Sequence, residues 1–510
     1  MSNSQISQVK IGVILNYTLI VINTVVALVY TPYMLRKLGQ SEFGIYSLAA
    51  SVIAYLTLMD FGFGNALIRY TAKFRAEGEI EQQSNLFGLC LKLYSIIGIV
   101  VFAIGLILYF NIDWLFDRTM TATEIHQIRV IVLIMVFNVA ITFPFSIFGS
   151  IITAYERFVF QKTLNIIRIF LNTLVMVLLL SMGYKAIAMV VVQTIFNIIV
   201  LGLNFYYCRH FLKISISFKQ FDKGFVKEIA IYSFWIFLNA IMDRIYWSTG
   251  QFVLGSIVGA VAVAIFSLGI HLQSFYMTFS TAISGVFLPR VTGMVAKGNT
   301  EADISNMFIK TGRFQYIVIA FILSGFIVFG KPFIFLWAGP GYDASYYITL
   351  IFFGSLMIPL IQNIGITILQ ARNQMKFRSL LYIVIALVSL GAQIYLSKYY
   401  GPLGCAIAIG GALVLGQGLI MNIYYWKRQQ INIPRFWGEI IKMSLIPICL
   451  TVIGIFVVEK THPYTISSLA ISILIYSLIY MPLFCKFSLN EYEKNLILSP
   501  VFKVLHIRKS

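Results

Sequence analysis

Residues Ile229 to Gly255 read IAIYSFWIFLNAIMDRIYWSTGQFVLG. The run is long enough to cross a hydrocarbon layer of roughly 30 Å as a helix. It nevertheless holds Asp243 and Arg244 near its middle. A charge at that depth costs about 3 kcal/mol or more, so such residues face a wet cavity or a partner. At helical spacing Tyr232, Asn239, Asp243, Tyr246 and Gly250 share one face, and Ile, Phe, Leu and Trp cover the rest. The next apolar run repeats the pattern without formal charge: Ser267, His271, Ser274, Thr278 and Thr281 also fall on one helical face. Two successive membrane helices with polar faces read as walls of a polar pathway.

The whole chain fits that reading. Of 510 residues 59% are hydrophobic and 11% charged, against roughly 25% charged in a soluble domain. Continuous apolar runs of about 20 residues indicate helices rather than the short alternating strands of a barrel. The net charge of +19 points to topology and not to nucleic acid, because Lys and Arg sit between apolar runs and form no basic domain. Cys90, Cys208, Cys405, Cys449 and Cys485 lie in or beside apolar segments without paired spacing, as small hydrophobes do. The N-terminal MSNSQISQVK shows no cleavable-signal pattern.

Fourteen spans are expected: 11–35, 43–67, 86–110, 128–151, 163–182, 186–207, 229–254, 260–288, 314–336, 346–369, 379–397, 402–425, 441–458 and 465–485. Loops on the side of the termini then carry 29 Lys plus Arg, and the other side carries 8, Lys185 and Lys331 among them. The positive-inside rule places both termini in the cytoplasm. The outer loops are short, and the longest, 111–127, is no folded domain. The inner loops near 208–228 and 289–312 read as longer and basic or amphipathic.

The chain also repeats itself. GYKAIAMVVVQTIFNIIVLGLNFYYCR from Gly183 parallels GPLGCAIAIGGALVLGQGLIMNIYYWK from Gly401 at an offset of 218. Ala154–Phe160 parallels Ala371–Phe377, offset 217, and Ile45–Leu48 parallels Ile265–Leu268, offset 220. Leu67–Thr71 parallels Leu288–Thr292, offset 221. Six spans separate the copies, so the halves share one orientation and an axis along the membrane normal can relate them. The expected fold class is an all-α polytopic membrane protein of about 14 transmembrane helices. Two six-helix bundles are related by a pseudo-two-fold axis, with two C-terminal helices added. Residues 1–228 form the first bundle with its connecting cytoplasmic loop, and 229–440 the second. Residues 441–510 supply two extra spans and a basic tail on the inner leaflet.

These motifs resemble the bacterial polysaccharide flippases, the O-antigen and repeat-unit exporters of the multidrug/oligosaccharidyl-lipid/polysaccharide superfamily. The likeness rests on Pro32, Leu38-Gly39 and Phe43-Gly44-Ile45-Tyr46 at the first outer turn, Asp60-Phe61-Gly62, and Arg69 with Lys73. It continues through AYERFVFQ and the turns at Gly183 and Gly401. The resemblance implies a two-bundle transporter of the bacterial cytoplasmic (inner) membrane that works by alternating access. Its cargo would be an undecaprenyl-diphosphate-linked oligosaccharide, with polysaccharide polymerases as possible partners.

Such a cargo needs cations for its diphosphate and polar or aromatic groups for its glycan. The candidate cavity residues are Asn16, Asn23, Asp60, Asn65, Arg69, Asn239, Asp243, Arg244, Ser267, His271 and Arg290. Arg69 and Arg290 occupy equivalent places in the two halves, either as diphosphate receivers at the inner mouth or as ordinary interfacial anchors. Arg244 is a candidate for substrate phosphate and Asp243 for a coupling Na+ or H+; a structural ion pair is the alternative. His271 titrates near neutrality when unperturbed, though a lone histidine more often just bonds across helices. Pro32, Pro144, Pro289, Pro359 and Pro447 sit where bending is expected. The runner-up function is a cation-coupled drug exporter of the same superfamily. A membrane glycosyltransferase, ligase or polymerase would need catalytic residues on a substantial outer loop. No phosphate-binding glycine loop, metal cluster or nucleophile–base pair marks the chain as an enzyme, and no cofactor is expected.

Overall fold

The computed structural model describes residues 3–61, 63–218, 237, 241–372 and 374–494; within these, the side chains of 3–10, 12–14, 16, 17, 282–290, 292 and 296 lie outside the description. Among the described residues the chain is helical throughout. The helices are α1 (Asn3–Leu56), α2 (Phe63–Glu77), α3 (Ile80–Phe116), α4 (Ala122–Ala154), α5 (Phe158–Ser181) and α6 (Ala186–His210). They continue as α7 (Thr249–Ile257), α8 (Ala260–Ala296), α9 (Glu301–Ala338), α10 (Asp343–Ile361), α11 (Ile364–Ala371) and α12 (Met375–Leu413). The last are α13 (Met421–Lys427), α14 (Ile433–Thr461) and α15 (Ile466–Phe487).

Eleven helical stretches are long and apolar enough to cross a membrane. Two of these each hold two expected spans. One runs through Gly39 (φ 76) within α1, and the other through Gly401 (φ 54) within α12. Glycine tolerates these left-handed angles because it lacks a Cβ. Counting both halves of each gives thirteen; the seventh span, 229–254, falls largely outside the described residues, where only Phe237, segment 241–247 and α7 are seen. The protein is a multi-pass α-helical membrane protein.

Several helices outrun their apolar windows. Helix α3 has 37 residues and α9 has 38, about 55 Å at 1.5 Å per residue. The expected long inner loop 289–312 is therefore mostly helix, with only residues 297–300 joining α8 to α9. Likewise 111–127 shrinks to 117–121, where Thr121 and Glu124 form a capping box at the start of α4. Hydropathy marks the oil-immersed part of a helix and is silent on its wet ends.

The second expected span, 43–67, is not one helix. It ends at Leu56, tightens into a 3-10 turn over Thr57–Asp60, and takes a left-handed conformation at Phe61 (φ 49) before α2 begins. The tenth span is likewise interrupted between α10 and α11 at Gln362-Asn363, three residues after Pro359. The twelfth passes through a π-helical segment, Val414–Ile420, a form that often marks functional sites.

By contacts the chain divides into Met1–Ser267 and Leu268–Ser510. In the first unit α4 packs on α1, α2, α3 and α6, and α7 lies on α1 and α3. In the second, α9 is the hub, packing on α10, α14 and α15. The last two spans are thus built onto the second unit.

The repeat is visible in three dimensions. Gly39 and Gly259 both have positive φ, as do Gly183 and Gly401. Phe160 stacks on Tyr207 with centroids 3.9 Å apart, and Phe377 stacks on Tyr424 at 4.1 Å. Each pair joins the helix after the short inner loop to the end of the following span.

Candidate substrate pathway

The break in the second span creates the polar centre of the first unit. Residues Thr57–Phe61 leave the α-helical pattern, so backbone groups there lose their usual partners. Irregular backbone at membrane depth is tolerated only where protein buries it or water reaches it. Three contacts set the geometry. Phe61 lays its ring against Phe237, centroids 4.6 Å apart. The buried Tyr94 of α3 donates its hydroxyl proton to the Asp60 carboxylate at 2.6 Å. The Arg244 guanidinium donates to the Thr57 hydroxyl at 3.5 Å.

The seventh span is interrupted at the same level of the unit. Segment 241–247 is helical, Ser248 forms a turn, and α7 follows. Tyr55, just before the break, donates to the Arg244 carbonyl at 3.3 Å and also meets the Thr249 hydroxyl. Arg244 is half-buried and Asp243 exposed. The two point about 100° apart, as neighbours on a helix must. Below the break, α2 buries Ala66, Leu67, Tyr70 and Phe74 and exposes Asn65, Arg69 and Lys73 at i, i+4 and i+8. The Arg69 guanidinium lies 5.5 Å from the Tyr70 ring centroid.

Of the candidates, Asp60, Asn65, Arg69, Asp243 and Arg244 belong to elements that meet around this break. Asn23 is exposed further up α1. Ser267 is fully buried, and its hydroxyl accepts from Gln251 Nε2 at 2.9 Å, so it joins α8 to α7 within the helix wall. His271 is exposed with Ser274, Thr278 and Thr281 on one face of α8, in the second unit. Asn239 lies outside the described residues, and the side chains of Asn16 and Arg290 are not described. Among the described residues no group of three His, Cys, Asp or Glu side chains is placed to hold a metal. The five cysteines are free.

Two partners carry no signal in the sequence. Tyr94 sits in an apolar run where a tyrosine is ordinary. Glu42, inside the Leu38–Tyr46 motif, is buried beside Lys185 Nζ at 3.4 Å and accepts from Gln127 Nε2 at 2.7 Å. It ties the first outer turn to the turn at Gly183. Nearby the unit closes tightly: a Cβ on Gly44 would overlap the Ala260 carbonyl, and one on Gly255 would lie 2.8 Å from Leu48. Thr119 donates to the Gly255 carbonyl at 2.7 Å.

Residues 9–295, more than half of the chain, match the family described as polysaccharide biosynthesis protein. The chain belongs to that family. It is also 21% identical over 424 residues to the Shigella flexneri protein named "Putative O-antigen transporter", covering 79% of this chain and 94% of the relative. It is 20% identical over 418 residues to the Bacillus subtilis (strain 168) protein named "Uncharacterized membrane protein EpsK", covering 80% and 81%. Among solved structures it resembles the lipid II flippase MurJ in an inward closed conformation. That match has a TM-score of 0.67 at 18% identity and covers 98% of this chain and 100% of the other. It also resembles an inward-facing multidrug resistance MATE family transporter of the MOP superfamily. There the TM-score is 0.60 at 13% identity, over 81% of this chain and 96% of the other. At these identities the structural likenesses establish the fold of the polysaccharide biosynthesis protein and nothing finer.

Proposed function

We propose that the protein is a flippase and not an enzyme. It moves undecaprenyl-diphosphate-linked oligosaccharide repeat units from the inner to the outer leaflet of the bacterial cytoplasmic membrane, for surface polysaccharide synthesis. Arg244 carries the reading. It is a permanent cation within a membrane span, half-buried and held 3.5 Å from Thr57 at the broken end of a second span. A guanidinium offers a diphosphate paired, charge-assisted donors. Arg69 and Lys73 on the exposed face of α2 extend cationic character along the same route. The polyprenyl tail needs no such path, because lipid already solvates it.

Several finer assignments belong to this proposal. Both termini face the cytoplasm, as the loop charges require. Residues 1–228 and 229–440 are the two moving bundles, with 441–510 appended. Asn16, Asn23, Asn239, His271 and Arg290 belong to the pathway or its mouth, Ser267 supports the wall behind it, and Asp243 holds a coupling Na+ or H+. The product is handed to a polysaccharide polymerase.

The test places the purified protein in liposomes with a fluorescent undecaprenyl-diphosphate glycan and follows its leaflet. Wild type is expected to translocate it. Arg244→Ala is expected to slow it by about tenfold or more, the worth of one charged hydrogen bond. Transport of an organic cation with no movement of the lipid would overturn the proposal in favour of a drug exporter. An Arg244→Ala protein at wild-type rate would remove Arg244 from the mechanism.

A further inference from the structure

A cavity lined by aromatic and charged side chains lies in the second unit. It encloses about 570 Å³ between the end of α9, the start of α10 and the α14–α15 connection. Four aromatic rings line it, those of Phe335, Tyr346, Tyr347 and Tyr464, together with Lys331 and Asp343. The Lys331 ammonium sits 5.6 Å from the ring centroids of both Tyr346 and Tyr347. Phe335 and Tyr464 meet edge to face, centroids 5.8 Å apart. Phe335, Tyr347 and Tyr464 are all exposed, so ring surface remains available. Among the described residues neither Lys331 nor Asp343 has a salt-bridge partner.

We infer that this cavity is a binding subsite for the glycan portion of the cargo, on the outer face of the membrane. The inference rests on the flippase reading for its cargo and on the loop-charge topology for its side. Its chemistry is that of a sugar site. Aromatic faces cover the C–H faces of a pyranose, while an ammonium and a carboxylate bond its hydroxyls. Lys331 sits over two tyrosine rings in cation–π range, and among the described residues no carboxylate pairs with it, which leaves its N–H donors for a ligand. Aromatic rings with lysine also occur wherever a helix meets lipid headgroups. Asp343 argues for sugar here, since a carboxylate in the pocket repels a phosphodiester and accepts from a hydroxyl. The assignment also gives the last two spans a task, because Tyr464 comes from the loop between them and completes the cavity wall.

Ligand-observed saturation-transfer NMR on the detergent-purified full chain tests it, with methyl glycosides of glucose, N-acetylglucosamine and glucuronic acid as probes. Saturation transfer from the wild-type protein to at least one glycoside is expected, with loss of most of it in Tyr347→Ala and in Tyr464→Ala. Tyr347→Phe keeps the ring and is expected to retain it. Transfer to none of the three, or transfer unchanged in both alanine variants, overturns the proposal. So does native mass spectrometry in which Lys331→Ala sheds a bound phosphatidylglycerol while the glycoside signal is unaffected, which makes the pocket a headgroup site. The leaflet assay separates this from the flippase reading. Glycoside binding with no lipid translocation retains the sugar site and removes the flippase, and the reverse result does the opposite.

Discussion

Among the described residues the two units are braced at different turns. In the first, the ion pairs Lys185–Glu42 and Arg129–Asp113 sit at turns that follow odd-numbered spans. In the second, Arg313 pairs with Glu439 and Glu493, and Arg372 with Glu301, at turns that follow even-numbered spans. The repeat carries over the glycine turns and the stacked Phe–Tyr pairs but not the ion pairs. At the repeat offsets, Glu42 and Lys185 correspond to Ala262 and Leu403. Duplication therefore preserved the backbone that makes each half fold, and the charges were placed separately. The polar groups assigned to cargo lie at the other end from each brace: the broken span with Asp60, Asn65 and Arg69 in the first unit, and the Lys331 cavity in the second.

The comparison breaks most readily at Arg313. Its guanidinium is buried, forks onto both Glu493 oxygens at 2.7 Å, and reaches Glu439 at 2.7 Å. Glu493 is wholly buried. Arg313→Ala leaves that carboxylate uncompensated and is expected to cost about 3–5 kcal/mol, read as a large fall in the thermal unfolding midpoint of the purified protein. The paired Arg313→Met/Glu493→Leu variant removes both charges and is expected to recover most of the loss. A single variant with wild-type stability would mean the second unit is not braced there.

A smaller effect is expected at Gly44. Any side chain there meets the Ala260 carbonyl, so backbone must move. Gly44→Val is expected to destabilise by about 1–3 kcal/mol, the usual cost of overpacking. Because the displaced contact lies beside the Thr119–Gly255 bond, Gly44→Val is also expected to raise labelling of a cysteine placed at Thr119. Gly202, whose Cβ would meet nothing within 4 Å, is the control.

The smallest effect belongs to Arg129 and Asp113, whose side chains are 31% and 55% exposed. Solvent screens such a pair, and Arg129→Gln is expected to change stability by about 0–1 kcal/mol, less at high salt. A shift as large as that of Arg313→Ala would show that the first unit is braced as strongly as the second.

Some of the candidate site was legible and some was not. Arg244 stood out because a charge inside an apolar run is visible in one dimension. The broken second span did not, since Thr57–Phe61 reads TLMDF, without proline and with hydropathy fit for a helix. Its left-handed break at Phe61 is held by tertiary contacts: Phe61 on Phe237, and Asp60 on Tyr94 from another helix. Ser267 shares a helical face with His271, yet one is fully buried and the other exposed. Periodicity gives the face of a helix and cannot say which neighbour covers each turn of it.

The amino-acid order alone determined that this chain lives in oil as a long series of apolar helices, and that it repeats itself. Those properties follow from local hydropathy and self-similarity, which need no knowledge of what packs on what. Only the tertiary structure decided where a span breaks, that Arg313 clamps the last two spans, and that Tyr464 closes a cavity with Lys331. Glu493 lies 180 residues from Arg313, and nothing local to either marks the other as its partner. The free energy of a buried charge is set by the groups that surround it in space, and the fold alone brings those groups together.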